Sequence, residues 1–90
     1  MATQQEIYGV LKEWVDETDR GDFRNFEELR DRFGDLERQV FGETKERVRN
    51  PLAMKYDSTR NALLAYSGSK SPKDLELIRQ RFLEIPSPGH

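Results

Sequence analysis

The chain contains no cysteine. That excludes disulfide stapling, thiolate nucleophiles and cysteine-ligated zinc or iron–sulfur centres, and it favours a reducing compartment, because small secreted domains lean on disulfides. Histidine is almost as scarce, with His90 at the end of the chain as its one representative. The body of the chain therefore lacks the side chain most often used in general acid–base catalysis and metal binding. There is no Gly-rich phosphate loop and no Gly-x-Ser-x-Gly elbow. Long apolar runs are missing as well. The longest, Ala62–Tyr66, falls far short of the roughly 20 residues that span a bilayer. The first six residues, Met-Ala-Thr-Gln-Gln-Glu, have neither the basic nor the apolar region of a secretory signal. The expectation is a cytoplasmic protein without membrane contact, cofactor or bound metal.

Apolar residues are few for the length. Leu, Ile, Val and Phe number 21 of 90, against 36% charged residues, so the core must be thin and the surface densely charged. The composition still clears the roughly one-fifth below which disorder is the better expectation. A domain this small is marginal alone and often gains stability from a partner or a second copy. The net charge of −2 hides an asymmetry. Residues 1–37 carry 11 acids and 5 bases, whereas residues 38–90 carry 10 bases and 6 acids. Such halves attract each other, within one fold or between two copies.

The strongest pattern present is a heptad of apolar residues, Phe26, Leu29, Phe33, Leu36 and Val40, spaced 3, 4, 3, 4. That spacing lines five side chains along one helix face, suited to meeting another helix. Charged residues fill the gaps. Three more segments read as helices. Thr3 with Glu6 forms a capping box ahead of Ile7, Val10, Leu11, Trp14, Val15 and Thr18, and Gly21 suits a left-handed stop. Asn50-Pro51 is a cap and first-turn pair, followed by Leu52, Tyr56, Thr59, Leu63 and Tyr66, with small Ala53, Ala62 and Ala65 nearby. Ser71-Pro72 repeats that chemistry ahead of Leu75, Ile78, Phe82 and Ile85, with Leu77 and Leu83 widening the stripe. Asn25 with Glu28 suggests a cap for the heptad helix, and Ser67-Gly68-Ser69 an end for the third. The reading is an all-α protein, a three- or four-helix bundle over residues 1–85 that dimerisation can complete. Its helices fall near 4–19, 25–41, 51–67 and 72–85, with a frayed tail at 86–90 and a loop or short charged helix at 43–50.

Little here points to chemistry. Glu13 with Asp16 and Glu17, and Asp31 with Asp35, have helical spacing that could offer oxygen ligands to Mg²⁺. In so charged a chain the expected role is a solvated acidic face. Arg20-Gly21-Asp22 reads as helix stop and turn. The basic cluster Lys45, Arg47, Arg49, Lys55 and Arg60, with Tyr56 and Tyr66 interleaved, is the best nucleic-acid candidate, because arginines pair with phosphates and tyrosines stack on bases. A helix-turn-helix with its turn at Gly34 is disfavoured by Arg30, which sits where a small apolar residue is wanted. A small helical enzyme could instead place Arg30, Arg38, Arg47 and Arg49 around a carboxylate substrate. The first reading is a non-enzymatic module that contacts another protein or a second copy of itself. Phe23 and Phe41 are its exposed anchors, flanking Phe26, Phe33 and Val40, since aromatics concentrate binding energy at interfaces.

Overall fold

A computed structural model describes residues 2–88. Five helices are present among them: α1 (Gln4–Asp19), α2 (Phe26–Phe41), α3 (Thr44–Arg47), α4 (Pro51–Ser69) and α5 (Pro72–Leu83). No strand occurs among the described residues, so the all-α bundle expected from the sequence is the observed class. The final residues Gly89 and His90 lie outside them.

Most boundaries follow from local chemistry. The Thr3 hydroxyl accepts the Glu6 N–H at 3.2 Å, and α1 stops at Gly21 with φ 76°. Asn50 Oδ1 accepts from Leu52 N at 3.0 Å and Ala53 N at 3.3 Å, with Pro51 in the first turn of α4. Ser71 Oγ accepts from Asp74 N at 3.1 Å to start α5. Two boundaries depart from expectation. Asn25 does not cap α2 with its side chain; its amide donates to Glu17 Oε1 at 3.3 Å and ties the two helices together. α4 runs past Gly68 and stops at Lys70, a non-glycine residue at φ 54°. The ammonium of Lys70 lies 4.3 Å from the centre of the Phe23 ring and also donates to the Ser67 carbonyl, which offsets the backbone cost of the left-handed turn.

α1 and α2 form one antiparallel hairpin and α4 and α5 another, and these are the two tightest helix pairs. Ala53 and Ala62 of α4 are buried in the core. All six apolar-stripe positions of α1 are buried as the spacing predicts. Between the hairpins runs an aromatic spine: Tyr66, Phe23, Phe26, Trp14, Phe33, Tyr56 and Phe41, each ring 5.3–6.3 Å from the next. Tyr8 stacks on Phe82 to join α1 to α5, so every aromatic residue of the chain packs on another ring, with Tyr8, Phe23, Tyr66 and Phe82 half-buried.

The heptad face of α2 is real only in its first half. Phe26, Leu29 and Phe33 are buried, but the next two buried positions are Glu37 and Phe41, with Leu36 and Val40 half-buried. A straight helix turns every 3.6 residues, so a 3.5-residue repeat drifts about 20° per heptad, and without supercoiling the core face moves one residue along. On α5, Leu83 does not widen the stripe; it is 82% exposed, well around the helix from Ile78.

Candidate functional site

Residues 43–50 turn the chain out of α2 and into α4. Gly42, at φ 87°, ends α2, and an added Cβ there would sit 3.2 Å from Glu46 Cβ. α3 follows, and the chain then turns through Val48 and Arg49. Arg47 folds inward, donating to the Gly42 carbonyl at 2.8 Å and to Thr44 Oγ1 at 3.2 Å. With Arg47 turned in, Lys45, Val48 and Arg49 are exposed, and so are Pro51, Met54 and Lys55 just beyond. The second set has the i, i+3, i+4 spacing of one face of α4, whereas Val48 and Arg49 lie in the turn beyond α3. Val48 is 57% and Met54 44% exposed, two of the four exposed large apolar side chains among the described residues. Lys45, Arg49 and Lys55 make no ion pair among the described residues. Glu43 and Glu46 are exposed in the same segment, so the corner carries charges of both signs around exposed Val48 and Met54.

Behind the corner lies a buried charged cluster that joins α2, α3 and α4. Glu37, 1% exposed, accepts from Arg60 Nη1 at 2.6 Å. Arg60 Nη2 lies 3.1 Å from Asp57 Oδ1, and Arg47 Nε stands 4.0 Å from Glu37 Oε2. Burial, reinforced by the neighbouring Asp57 carboxylate, pushes the Glu37 carboxyl up to about 8 against the pull of Arg60 and Arg47. Glu37 Oε2, Arg47 Nε and Asp57 Oδ1 have no hydrogen-bond partner.

The five basic residues singled out in the sequence therefore divide. Lys45, Arg49 and Lys55 face solvent, while Arg47 and Arg60 are turned to carboxylates, so the five do not make one surface. The phenylalanines divide too. Phe26, Phe33 and Phe41 are core residues, and Phe41 packs on Tyr56 at 5.4 Å rather than standing exposed at an edge. Phe23 and Val40 are half-buried. A thin core has no aromatic area to spare, which is why these rings turn inward. The signal for Glu37 was present in the sequence: counted at helical rather than heptad spacing, Phe33, Glu37 and Phe41 share one face.

Two further recesses matter. On the other side of α2, α1 and α2 border an open cleft of about 410 Å³ lined by Glu6, Glu13 and Asp35, by Arg32, and by Val10 and Leu36. Gly9 opens it, since nothing lies within 4 Å of where its Cβ would be. Between α2 and α4 a groove of about 440 Å³ holds Arg30, Arg38 and Arg60. Each already faces an acid there: Asp31, Asp35, and the Glu37–Asp57 pair. Arg47 and Arg49 lie elsewhere, so the four arginines suggested for a carboxylate substrate are not brought together. Among the described residues no group of three or more metal-ligating side chains occurs, and no helix is long and apolar enough to cross a membrane. Comparison with protein-family models, with curated proteins and with solved structures found no match.

Proposed function

We propose that this chain is a helical protein-interaction module, working in the cytoplasm without catalysis, and that its contact surface is the α3–α4 corner rather than the phenylalanine face of α2. The supporting observation is the exposure of Val48 and Met54, two of the four exposed large apolar side chains among the described residues, in one segment with Lys45, Arg49 and Lys55, which make no ion pair there. Apolar side chains supply affinity at such a surface, and the cations set orientation and association rate. The inward-turned Arg47 holds the corner rigid, which lowers the ordering cost of binding.

The test places a photoreactive phenylalanine at Val48 of the full chain in cells. A protein adduct that disappears when Met54→Asp and Lys55→Glu are added, with the helical circular dichroism retained, is the expected result. Adducts with nucleic acid alone, or none, overturn the reading. The added substitutions are on the surface and should move stability by no more than about 0.5 kcal/mol.

A further inference from the structure

We propose that Glu37 chooses between two buried partners, Asp57 when its carboxyl carries a proton and Arg47 when it does not, and that the choice moves α3. Three orphaned atoms carry the inference. Glu37 Oε2, Arg47 Nε and Asp57 Oδ1 are all buried without a hydrogen-bond partner. One guanidinium grips both acids: Arg60 Nη1 donates to Glu37 Oε1 at 2.6 Å, and Nη2 lies 3.1 Å from Asp57 Oδ1, outside hydrogen-bonding geometry. The second Glu37 oxygen, Oε2, has Arg47 Nε at 4.0 Å, and Asp57 stands within hydrogen-bonding reach of the same carboxyl. Among the described residues the charged groups that face Glu37 are Arg60 and Asp57 of α4 and Arg47 of α3.

The two protonation states satisfy different pairs of these atoms. A protonated Oε2 donates to Asp57 Oδ1 and leaves the Arg47 Nε–H unmatched. The proton then belongs to the carboxyl pair rather than to one acid. An ionised Oε2 is repelled by Asp57 and only accepts, and the Arg47 Nε–H is the unused donor facing it. Closing that gap to a charge-assisted bond of about 2.8 Å draws the Arg47 side chain inward by about 1 Å. Arg47 does not move alone. Its other nitrogens hold the Gly42 carbonyl at 2.8 Å and Thr44 Oγ1 at 3.2 Å, so the pull reaches both the end of α2 and the start of α3. One local charge change is thereby coupled to a segment with two arrangements. Burial and the Asp57 carboxylate push the Glu37 carboxyl up to about 8, which sets the changeover a little above neutral pH. The switch works whatever the corner binds, so it stands or falls apart from the interaction reading.

The experiment is a nuclear magnetic resonance titration of the full chain across the mildly acidic to alkaline range. It follows the Glu37 carboxyl carbon, the Arg47 Nε nitrogen by carbon detection, and the Thr44 backbone amide. In the wild type the Glu37 carboxyl should titrate near 8, with the Arg47 and Thr44 signals moving on the same curve. Asp57→Asn removes the carboxylate that shares the proton and should lower the midpoint by about one pH unit or more. Arg47→Gln removes the cation that receives the ionised form and should raise the midpoint by about as much. Glu37→Gln should abolish the pH-dependent shifts at Arg47 and Thr44. Circular dichroism confirms that each variant is folded, and the wild-type curves decide the matter if one is not. A Glu37 that titrates in the ordinary carboxylate range, or Arg47 and Thr44 signals that ignore its titration, overturns the proposal. So does an unchanged midpoint in Asp57→Asn, or a shift in the same direction for the Asp57 and Arg47 variants.

Discussion

An Arg60→Ala variant is expected to lose about 1–3 kcal/mol of stability at pH 8.5, the usual cost of leaving buried polar groups without a hydrogen-bond partner. Among the described residues Arg60 is the one cation within hydrogen-bond distance of Glu37, at 2.6 Å, and it also faces Asp57 at 3.1 Å. Without it Glu37 is left with Arg47 at 4.0 Å, too far for a hydrogen bond. The loss should shrink at pH 6, where Glu37 is protonated and has no charge to compensate. The wild type carries the same signature in weaker form. Its Glu37 titrates near 8 in the fold against 4.5 for the ordinary group. Between those values the folded state binds more protons than the unfolded chain, so this group makes stability fall as pH rises from about 4.5 to about 8 and level off above. From pH 6 to pH 8.5 the change is on the order of 2 kcal/mol, since each pH unit within the window contributes up to about 1.4 kcal/mol. Glu37→Gln should flatten the profile and be the more stable protein at pH 8.5. Urea denaturation of the three proteins at the two pH values measures all of this. A flat wild-type profile would show that Arg60 holds Glu37 ionised throughout.

Trp14→Ala should be at least as damaging, by about 3–5 kcal/mol, through loss of apolar burial and the cavity left behind. The indole is fully buried and is the link in the spine that meets two α2 rings, Phe26 at 5.3 Å and Phe33 at 5.7 Å. A domain of this length has a total stability on the order of 5–10 kcal/mol, so the variant should be substantially unfolded at 37 °C. Trp14→Phe separates packing from polarity. Trp14 Nε1 has no hydrogen-bond partner, so the phenylalanine variant loses area but also an unsatisfied donor, and should fall clearly short of the alanine loss. Thermal melts followed at 222 nm rank the three. Equal losses for alanine and phenylalanine would refute the spine as the main source of stability.

These two sites differ in how far the sequence reveals them. The inner face of α1 could be read whole, because Ile7 to Thr18 repeat at the helical period and Thr3 and Gly21 mark the ends through contacts within a few residues. Asn50 and Ser71 are equally local. Glu37 was hidden because a heptad and a true helix differ by one position only after two turns, and the apolar Leu36 and Val40 made the heptad look complete. Lys70 as a helix stop depends on Phe23, 47 residues earlier. The inward turn of Phe41 likewise depends on Tyr56, and that of Arg47 on Glu37 across helices. Capping and periodicity are written in neighbouring residues; the partner of a long side chain is not. The corner shows both limits: its cations are plain in the sequence, yet which of them stay free is decided by acids on α2 and α4.

The two-hairpin topology also governs how the chain reaches this arrangement. Its closest helix contacts join neighbours in sequence, α1 with α2 and α4 with α5, and the second pair is joined through Lys70 and Ser71 alone. Loop-closure entropy is therefore small for each half, and proteins built from such local contacts fold in microseconds to milliseconds. The contacts that span the halves, Tyr56 with Phe33 and Arg60 with Glu37, are expected to come together after the hairpins, which φ-values near zero at these positions would show. Weakening them acts chiefly on the rate of opening and leaves the rate of assembly nearly unchanged. The lifetime of the native state, more than the speed of its formation, is set at the junction between the hairpins.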